Sequence, residues 1–133
     1  MYLLDTNICI YIINQNPLKV VHHIKKLNPH QIKLSAVSLA ELEYGVSKSR
    51  HRDQNRQALV HFVSAFDILA FDDRDAEVYG LLRADLERKG RMIGPYDMEI
   101  AAQAITRKLI LILVSNNTSE FSRIPNLRLE NWG

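Results

Sequence analysis

The chain has 133 residues, of which 47% are hydrophobic, with a formal charge of +2 and one cysteine, Cys9. That size suits a single domain over residues 1–133 built on one substantial core. It excludes an internal disulfide framework and a cysteine-type zinc site, and no apolar run approaches the roughly 18 residues of a membrane span.

In chain order, Met1 to Leu4 is a short apolar run that stops at Asp5-Thr6-Asn7, after which Ile8, Ile10, Tyr11, Ile12 and Ile13 continue. This reads as buried strand, polar junction, helix. No charged segment precedes a long apolar one, as a secretory signal needs, so a cytoplasmic protein is expected. After a break at Asn16-Pro17, Leu18, Val21, Ile24 and Leu27 recur at helical spacing, and Pro29 ends that helix. Ile32 to Ser35 reads as a second strand, leading into a helix over Ala36 to Lys48 that contains Glu41.

The polar stretch Arg50 to Arg56 suits a solvated helix start or loop, and Ala58 to Phe66 resumes apolar periodicity. Ile68 to Phe71 suggests a third strand. Asp72, Asp73 and Asp75 precede a helix with Val78, Leu81, Leu82 and Leu86 on one face, ended by Gly90 in the C′ position. Gly94-Pro95 punctuates the chain before Asp97 and a helix from about Met98 to Arg107. Leu109 to Val114, six aliphatic residues in a row, is a buried strand. Strands alternating with helices predict an α/β domain with a mostly parallel sheet, whose ligand site lies at the carboxyl ends of the strands. Asp5 and Ser115-Asn116-Asn117 both fall at such ends.

Three acids stand out there. Asp5 follows a strand, Asp97 stands at a helix start, and Glu41 interrupts the apolar pattern of its helix. Singly, the aspartates read equally well as helix caps and Glu41 as a partly exposed helix residue. Together in one cleft, they repel each other and must hold protons or a cation. A hard divalent ion with oxygen ligands resolves the conflict, and such an ion activates water and neutralises charge on a phosphodiester. The clusters Lys25-Lys26, Lys48 to Arg56 and Arg83 to Arg91 would hold the polyanion that the acids repel.

Other features have plainer readings. Asp72, Asp73 and Asp75 sit where a helix dipole favours negative charge, so capping outweighs a metal site. His22 and His23 diverge on a helix, and the remaining histidines show no zinc spacing, so no zinc is expected. Cys9 reads as a packed thiol. The basic segment Lys48, Arg50, His51, Arg52 and Arg56 fits either RNA phosphates or a solvated face. Tyr11, Tyr44 and Tyr96 fit either base stacking or packing, and Trp132 is expected to pin the last strand to the body. Glu43 and Glu99 each lie two residues from a proposed ligand, about 200° around a helix, and are expected to face away from the cleft.

The segments Tyr2-Leu3-Leu4-Asp5-Thr6-Asn7, Ala40-Glu41-Leu42-Glu43-Tyr44-Gly45, Ile93-Gly94-Pro95-Tyr96-Asp97 with Ile100-Ala101-Ala102, and Ser115 to Phe121, in this order and spacing, resemble the VapC toxins, PIN-domain proteins of VapBC toxin–antitoxin systems. The resemblance implies a three-layer α/β/α PIN-like fold and Mg²⁺-dependent endoribonuclease activity, with Mn²⁺ as the alternative ion and no nucleotide cofactor. It implies a structured RNA substrate, commonly a transfer RNA cut in its anticodon region, the initiator tRNA among the candidates. A VapB-type antitoxin is the implied inhibitor and a homodimer the implied assembly.

By position in the motifs, Asp5, Glu41 and Asp97 correspond to the metal-binding carboxylates and Thr6 and Asn7 to neighbours that orient Asp5. Asn117 stands where many PIN domains carry a fourth acid, and it cannot supply negative charge. Glu120 is the nearest substitute, although an exposed loop acid is its plainer reading. Two rival functions remain at this stage: a DNA-directed nuclease, since no motif reads a 2′-hydroxyl, and a non-catalytic module whose acids receive a basic peptide.

Overall fold

A computed structural model describes residues 1–15, 18–113 and 118–132. The first strand, β1 (Tyr2–Leu4), is central, and its parallel neighbours are β2 (Ile32–Ser35) and β4 (Ile110–Leu113). Outside them lie β3 (Asp67–Leu69) and β5 (Arg128–Asn131), giving the order β3-β2-β1-β4-β5 with every pairing parallel. The expected break at Asn16-Pro17, and the end of the expected fourth strand at Val114, lie outside the described residues.

Because strand side chains alternate between faces, the sheet divides its apolar residues between two cores. Leu3, Leu111 and Leu113 pack on one face against α5 (Asp73–Arg88) and α6 (Pro95–Arg107), through Leu82, Leu86, Met98 and Ala101. Leu4, Leu34 and Ile112 pack on the other against α1 (Thr6–Ile13), α2 (Leu18–Lys25), α3 (Ala36–Ser47) and α4 (Arg52–Val63). The result is the expected three-layer α/β/α sandwich. Among the described residues no helix is long and apolar enough to cross a membrane.

Local signals act largely as their chemistry predicts. Asp72 caps α5, accepting from the backbone N–H of Arg74 and Asp75 at 3.0 and 3.1 Å, while the Asp75 carboxylate accepts from Asp72 N–H at 2.9 Å. Asp75 is fully buried and paired with Arg107 of α6, which also reaches Asp72 at 3.2 Å. The acid cluster is therefore a reciprocal cap pinned to a neighbouring helix. Gly90, at φ +62°, closes α5: its N–H donates to Glu87 O and that of Arg91 to Leu86 O. Trp132 is buried, stacks on His23 at 5.0 Å and donates to Glu130 at 2.9 Å, fastening the end of β5 to the α2 side.

Three expectations need correction. Leu81 is 69% exposed, because one residue turns a helix by about 100° and the core face of α5 runs through Asp75, Leu82 and Leu86. Pro29 does not end the preceding helix, which stops at Lys25, and instead begins a 3-10 turn, Pro29–Gln31, capped by Asn28. The third strand is Asp67–Leu69, so Ala70 and Phe71 fall in the connection to α5.

Candidate functional site: acids at the carboxyl edge of the sheet

In a parallel sheet, the segments leaving the carboxyl ends of the strands gather at one edge. Asp5 leaves β1 there, anchored by its N–H to Ile112 O at 3.1 Å, and begins α1. It occupies the N-cap position, yet its carboxylate makes no capping bond and is only 1% exposed. A buried carboxylate that does not cap needs another reason to be there. Ser35, at the end of β2, does cap its helix, accepting from Val37 N–H at 3.0 Å, and so starts α3, which carries Glu41. Helix α6 leads into β4 and begins at the carboxyl edge, with Gly94 as its N-cap, Pro95 in the first turn and Asp97 just after.

Thr6 ties two of these elements together. Its hydroxyl lies 2.9 Å from Glu41 Oε1 and 3.0 Å from Ser38 Oγ. One hydroxyl proton serves one acceptor, so Thr6 donates to the carboxylate and receives from Ser38. Thr6 therefore orients Glu41, whereas the motif resemblance assigned it to Asp5. Ser35 donates to Gln103, whose amide N–H reaches Leu69 O at 3.2 Å, linking β2, α6 and β3 beneath the site.

The electrostatics report how close the acids stand. The carboxyl of Asp97 is pushed up from its ordinary 3.8 to about 6, first by burial and then by the charges of Asp5, Glu120 and Glu41. The first turn of a helix favours an anion, so the upward shift means that burial and like charge outweigh the dipole. Burial, and then Asp5, push the Cys9 thiol well above its ordinary value, which leaves Cys9 a packed, unreactive thiol on the core side.

A groove of about 1050 Å³ opens beside the acids, lined among others by Thr6, Asn7, Glu41, Tyr44, Tyr96 and Glu99. Glu99 is thus on the cleft side, against expectation, and burial and Glu41 raise its carboxyl. The 200° rotation from Asp97 is sound, but α3 lies beside α6 and carries Glu41 to that second face. Sequence spacing on one helix could not show this, because the signal belongs to the neighbouring helix. Glu43 behaves as expected, turned towards α4 and paired with Arg56. Glu120, on the short helix α7 (Thr118–Phe121), is exposed, and its charge contributes to raising Asp97 after burial and Asp5. Ser115 and Asn117 lie outside the described residues.

Among the described residues no three His, Cys, Asp or Glu side chains form a ready-made metal cage. That is compatible with magnesium, which keeps several waters and is held by one or two carboxylates plus substrate phosphate. The proposed donors, Asp5, Glu41 and Asp97, are all carboxylate oxygens, and Asp97 is raised by burial and then by the like charges of Asp5, Glu120 and Glu41, which a cation would offset. The residues present fit a hard divalent cation.

A parallel five-stranded sheet with carboxylates gathered at its carboxyl edge is the arrangement of a PIN domain, and the family described as PIN domain matches residues 2–127. The chain is 46% identical to the Rickettsia felis protein named ribonuclease VapC2, over 99% of this chain and 98% of that one. It is 43% identical to the Shigella flexneri protein named tRNA(fMet)-specific endonuclease VapC, over 98% and 97%. Its fold superposes with a TM-score of 0.92, at 44% identity and over 99% and 98% of the two chains, on the crystal structure of VapBC2 from Rickettsia felis bound to a DNA fragment from their promoter. The chain belongs to the PIN-domain family, in its VapC branch. Ribonucleases of this family generally use divalent metal ions.

Proposed function

We propose that the protein is the toxin of a VapBC-type toxin–antitoxin pair, a Mg²⁺-dependent endoribonuclease that cuts the initiator tRNA in its anticodon region and so stops translation. The observation that carries this reading is the gathering of Asp5, Glu41 and Asp97 from three elements at one edge, with Asp97 raised to about 6 by burial and then by the charges of Asp5, Glu120 and Glu41. The names of two relatives, ribonuclease VapC2 and tRNA(fMet)-specific endonuclease VapC, support the substrate class, and the VapBC2 complex supports a VapB-type antitoxin as inhibitor.

In this reading Asp5, Glu41 and Asp97 hold the cation, Thr6 fixes the Glu41 carboxylate by its hydrogen bond, and Glu120 adds negative charge from the rim. When bound, magnesium, or manganese in its place, supplies an activated water and neutralises charge on the phosphodiester. Asn7, Tyr44 and Tyr96 line the groove through which the RNA reaches the acids. Tyr44 and Tyr96 are 66% and 57% exposed, and Tyr96, together with the Tyr44 face that Lys48 does not cover, suits unpaired bases of a loop. Leu81, exposed on α5, suits the homodimer contact expected of a VapC-type toxin.

The experiment is cleavage of purified initiator tRNA with Mg²⁺ or EDTA, with the new RNA ends mapped by sequencing. The wild type should give a dominant cut in the anticodon loop that Asp5→Asn and EDTA both abolish. Identical ends from wild type and Asp5→Asn would refute the assignment.

A further inference from the structure

Carboxylates gathered at one edge repel RNA, so affinity for it has to come from cations beside them. Several of the basic residues that the sequence groups together are already paired. On α5, Arg83 meets Glu87 while Arg88 and Lys89 meet Asp85, and Arg56 of α4 is held by Glu43. Arg123 is different. It is exposed, it forms no ion pair among the described residues, and its guanidinium is held by a neutral group, donating to Met92 O at 3.0 Å.

Three observations place this arginine at the acids. Met92 lies two residues before Gly94, the N-cap of α6, and the Asp97 carboxylate folds back over Gly94, with Oδ2 3.5 Å from the position a Cβ there would take. Two residues of extended chain reach at most about 7 Å, so the Met92 carbonyl and the Asp97 carboxylate belong to one short stretch of the rim. Arg123 also stands one turn beyond Glu120, its backbone N–H bonded to Glu120 O at 3.2 Å, and the charge of Glu120 contributes to raising Asp97. Finally, Phe121 and Ile124, which flank Arg123 in the chain, are buried in the same core as Ile93, so α7 is packed with the segment that leads into α6.

An arginine whose role was to neutralise the acids would pair with Glu120. This one is held by a carbonyl that takes one of its five N–H groups, which keeps the planar fork oriented, charged and open to solvent. A planar guanidinium matches a phosphate with paired N–H donors, and RNA whose scissile phosphate lies at the acids carries further phosphates past their rim. We propose that Arg123 is a phosphate-contacting residue that grips the RNA backbone on the α7 side of the acids. The proposal rests on the ribonuclease reading for the identity of the polyanion. An acidic antitoxin segment is the competing occupant, and a mere staple between α7 and Met92 is the competing role.

The test is equilibrium binding of fluorescently labelled initiator tRNA to the full-length protein in EDTA, where nothing is cut, at several salt concentrations. Wild type is compared with Arg123→Gln, Arg123→Lys and Arg128→Gln. Gln retains an N–H donor for Met92 O and removes the charge, whereas Lys retains the charge and loses the fork. Arg128, exposed at the start of β5 on the opposite edge of the sheet, controls for diffuse charge. Arg123→Gln should bind about tenfold more weakly near 0.1 M salt, with the slope of log Kd against log salt lower by about 1. Arg123→Lys should keep the slope and recover part of the affinity, and Arg128→Gln should change neither. Because Arg123 is exposed, the unfolding midpoint of Arg123→Gln should move by no more than about 3 °C.

Unchanged affinity and slope in Arg123→Gln would overturn the proposal, as would an equal loss in Arg128→Gln or a wild type that does not bind the tRNA. A loss shared equally by Arg123→Lys, together with a lowered unfolding midpoint, would make Arg123 a staple only. A variant that keeps RNA affinity but loses affinity for a VapB-type partner would assign Arg123 to the antitoxin instead. Cleavage by the wild type with Mg²⁺ is scored separately. Binding weakened in Arg123→Gln without any wild-type cleavage defeats the nuclease reading and leaves the phosphate contact standing, whereas normal cleavage with unaltered binding does the reverse.

Discussion

Replacing Asp97 by Asn should make the apoprotein more stable at neutral pH. An acid whose folded pKa lies above its unfolded value binds its proton more tightly when folded, so stability falls as pH rises from 3.8 towards about 6 and is then level. The full shift corresponds to about 3 kcal/mol at 1.36 kcal/mol per unit. The side chain is only half buried, and solvent screening reduces the figure to about 1–2 kcal/mol. Asn keeps the shape and removes the charge, so in EDTA at pH 7.5 the variant should unfold about 3–8 °C above the wild type. The gap should close by pH 4. Added Mg²⁺ should stabilise the wild type more than the variant, because a ligand that binds only the folded state raises its stability. Differential scanning fluorimetry across pH 4–8, with EDTA and with Mg²⁺, reads all three outcomes. A variant less stable than wild type in EDTA at pH 7.5, or a gap independent of pH, would show that burial and the charges of its neighbours do not raise Asp97 in this way.

Two further substitutions follow from the hydrogen bonds. Thr6→Val removes the donor to Glu41 and leaves the buried Ser38 hydroxyl short of a partner, so cleavage should fall about tenfold while stability drops by only about 1–2 kcal/mol; tRNA cleavage rates and urea titration of the same preparation check both, and wild-type activity would remove Thr6 from the positioning role. Arg107→Ala strips the guanidinium from the fully buried Asp75 and should cost about 3–5 kcal/mol in urea unfolding, against less than 1 for removing the exposed Arg74.

How much of this could be read from the sequence depended on whether each signal was local. The runs Tyr2 to Leu4 and Leu109 to Leu113 announce their strands because burial on both faces leaves no polar alternation, while Ile32 to Ser35 announces its strand by alternating Ile32 and Leu34 with Lys33 and Ser35. β5 has no such run: Arg128 to Asn131 lies at an edge, is partly exposed, and is held by its pairing with β4 and by Trp132. Asp5, Glu41 and Asp97 were legible because each breaks an apolar pattern or stands at an element boundary. Glu99 was not, since its place in the groove depends on α3 lying beside α6. Leu81 was misplaced for the related reason that Leu81 and Leu82 are adjacent, and sequence alone does not say which of them the sheet will cover.

The central position of β1 has a consequence for when the protein becomes dangerous. β1 has one of its two neighbours, β4, more than a hundred residues later in the chain, and Asp5 is anchored to that neighbour through Ile112. A growing chain therefore cannot close the sheet around β1, or anchor Asp5 to Ile112, until Ile110 to Leu113 have been made. For a protein proposed to attack the translation machinery, this order of assembly keeps the ribosome making it from meeting a half-finished active site, and it presents an inhibitor with only the completed target.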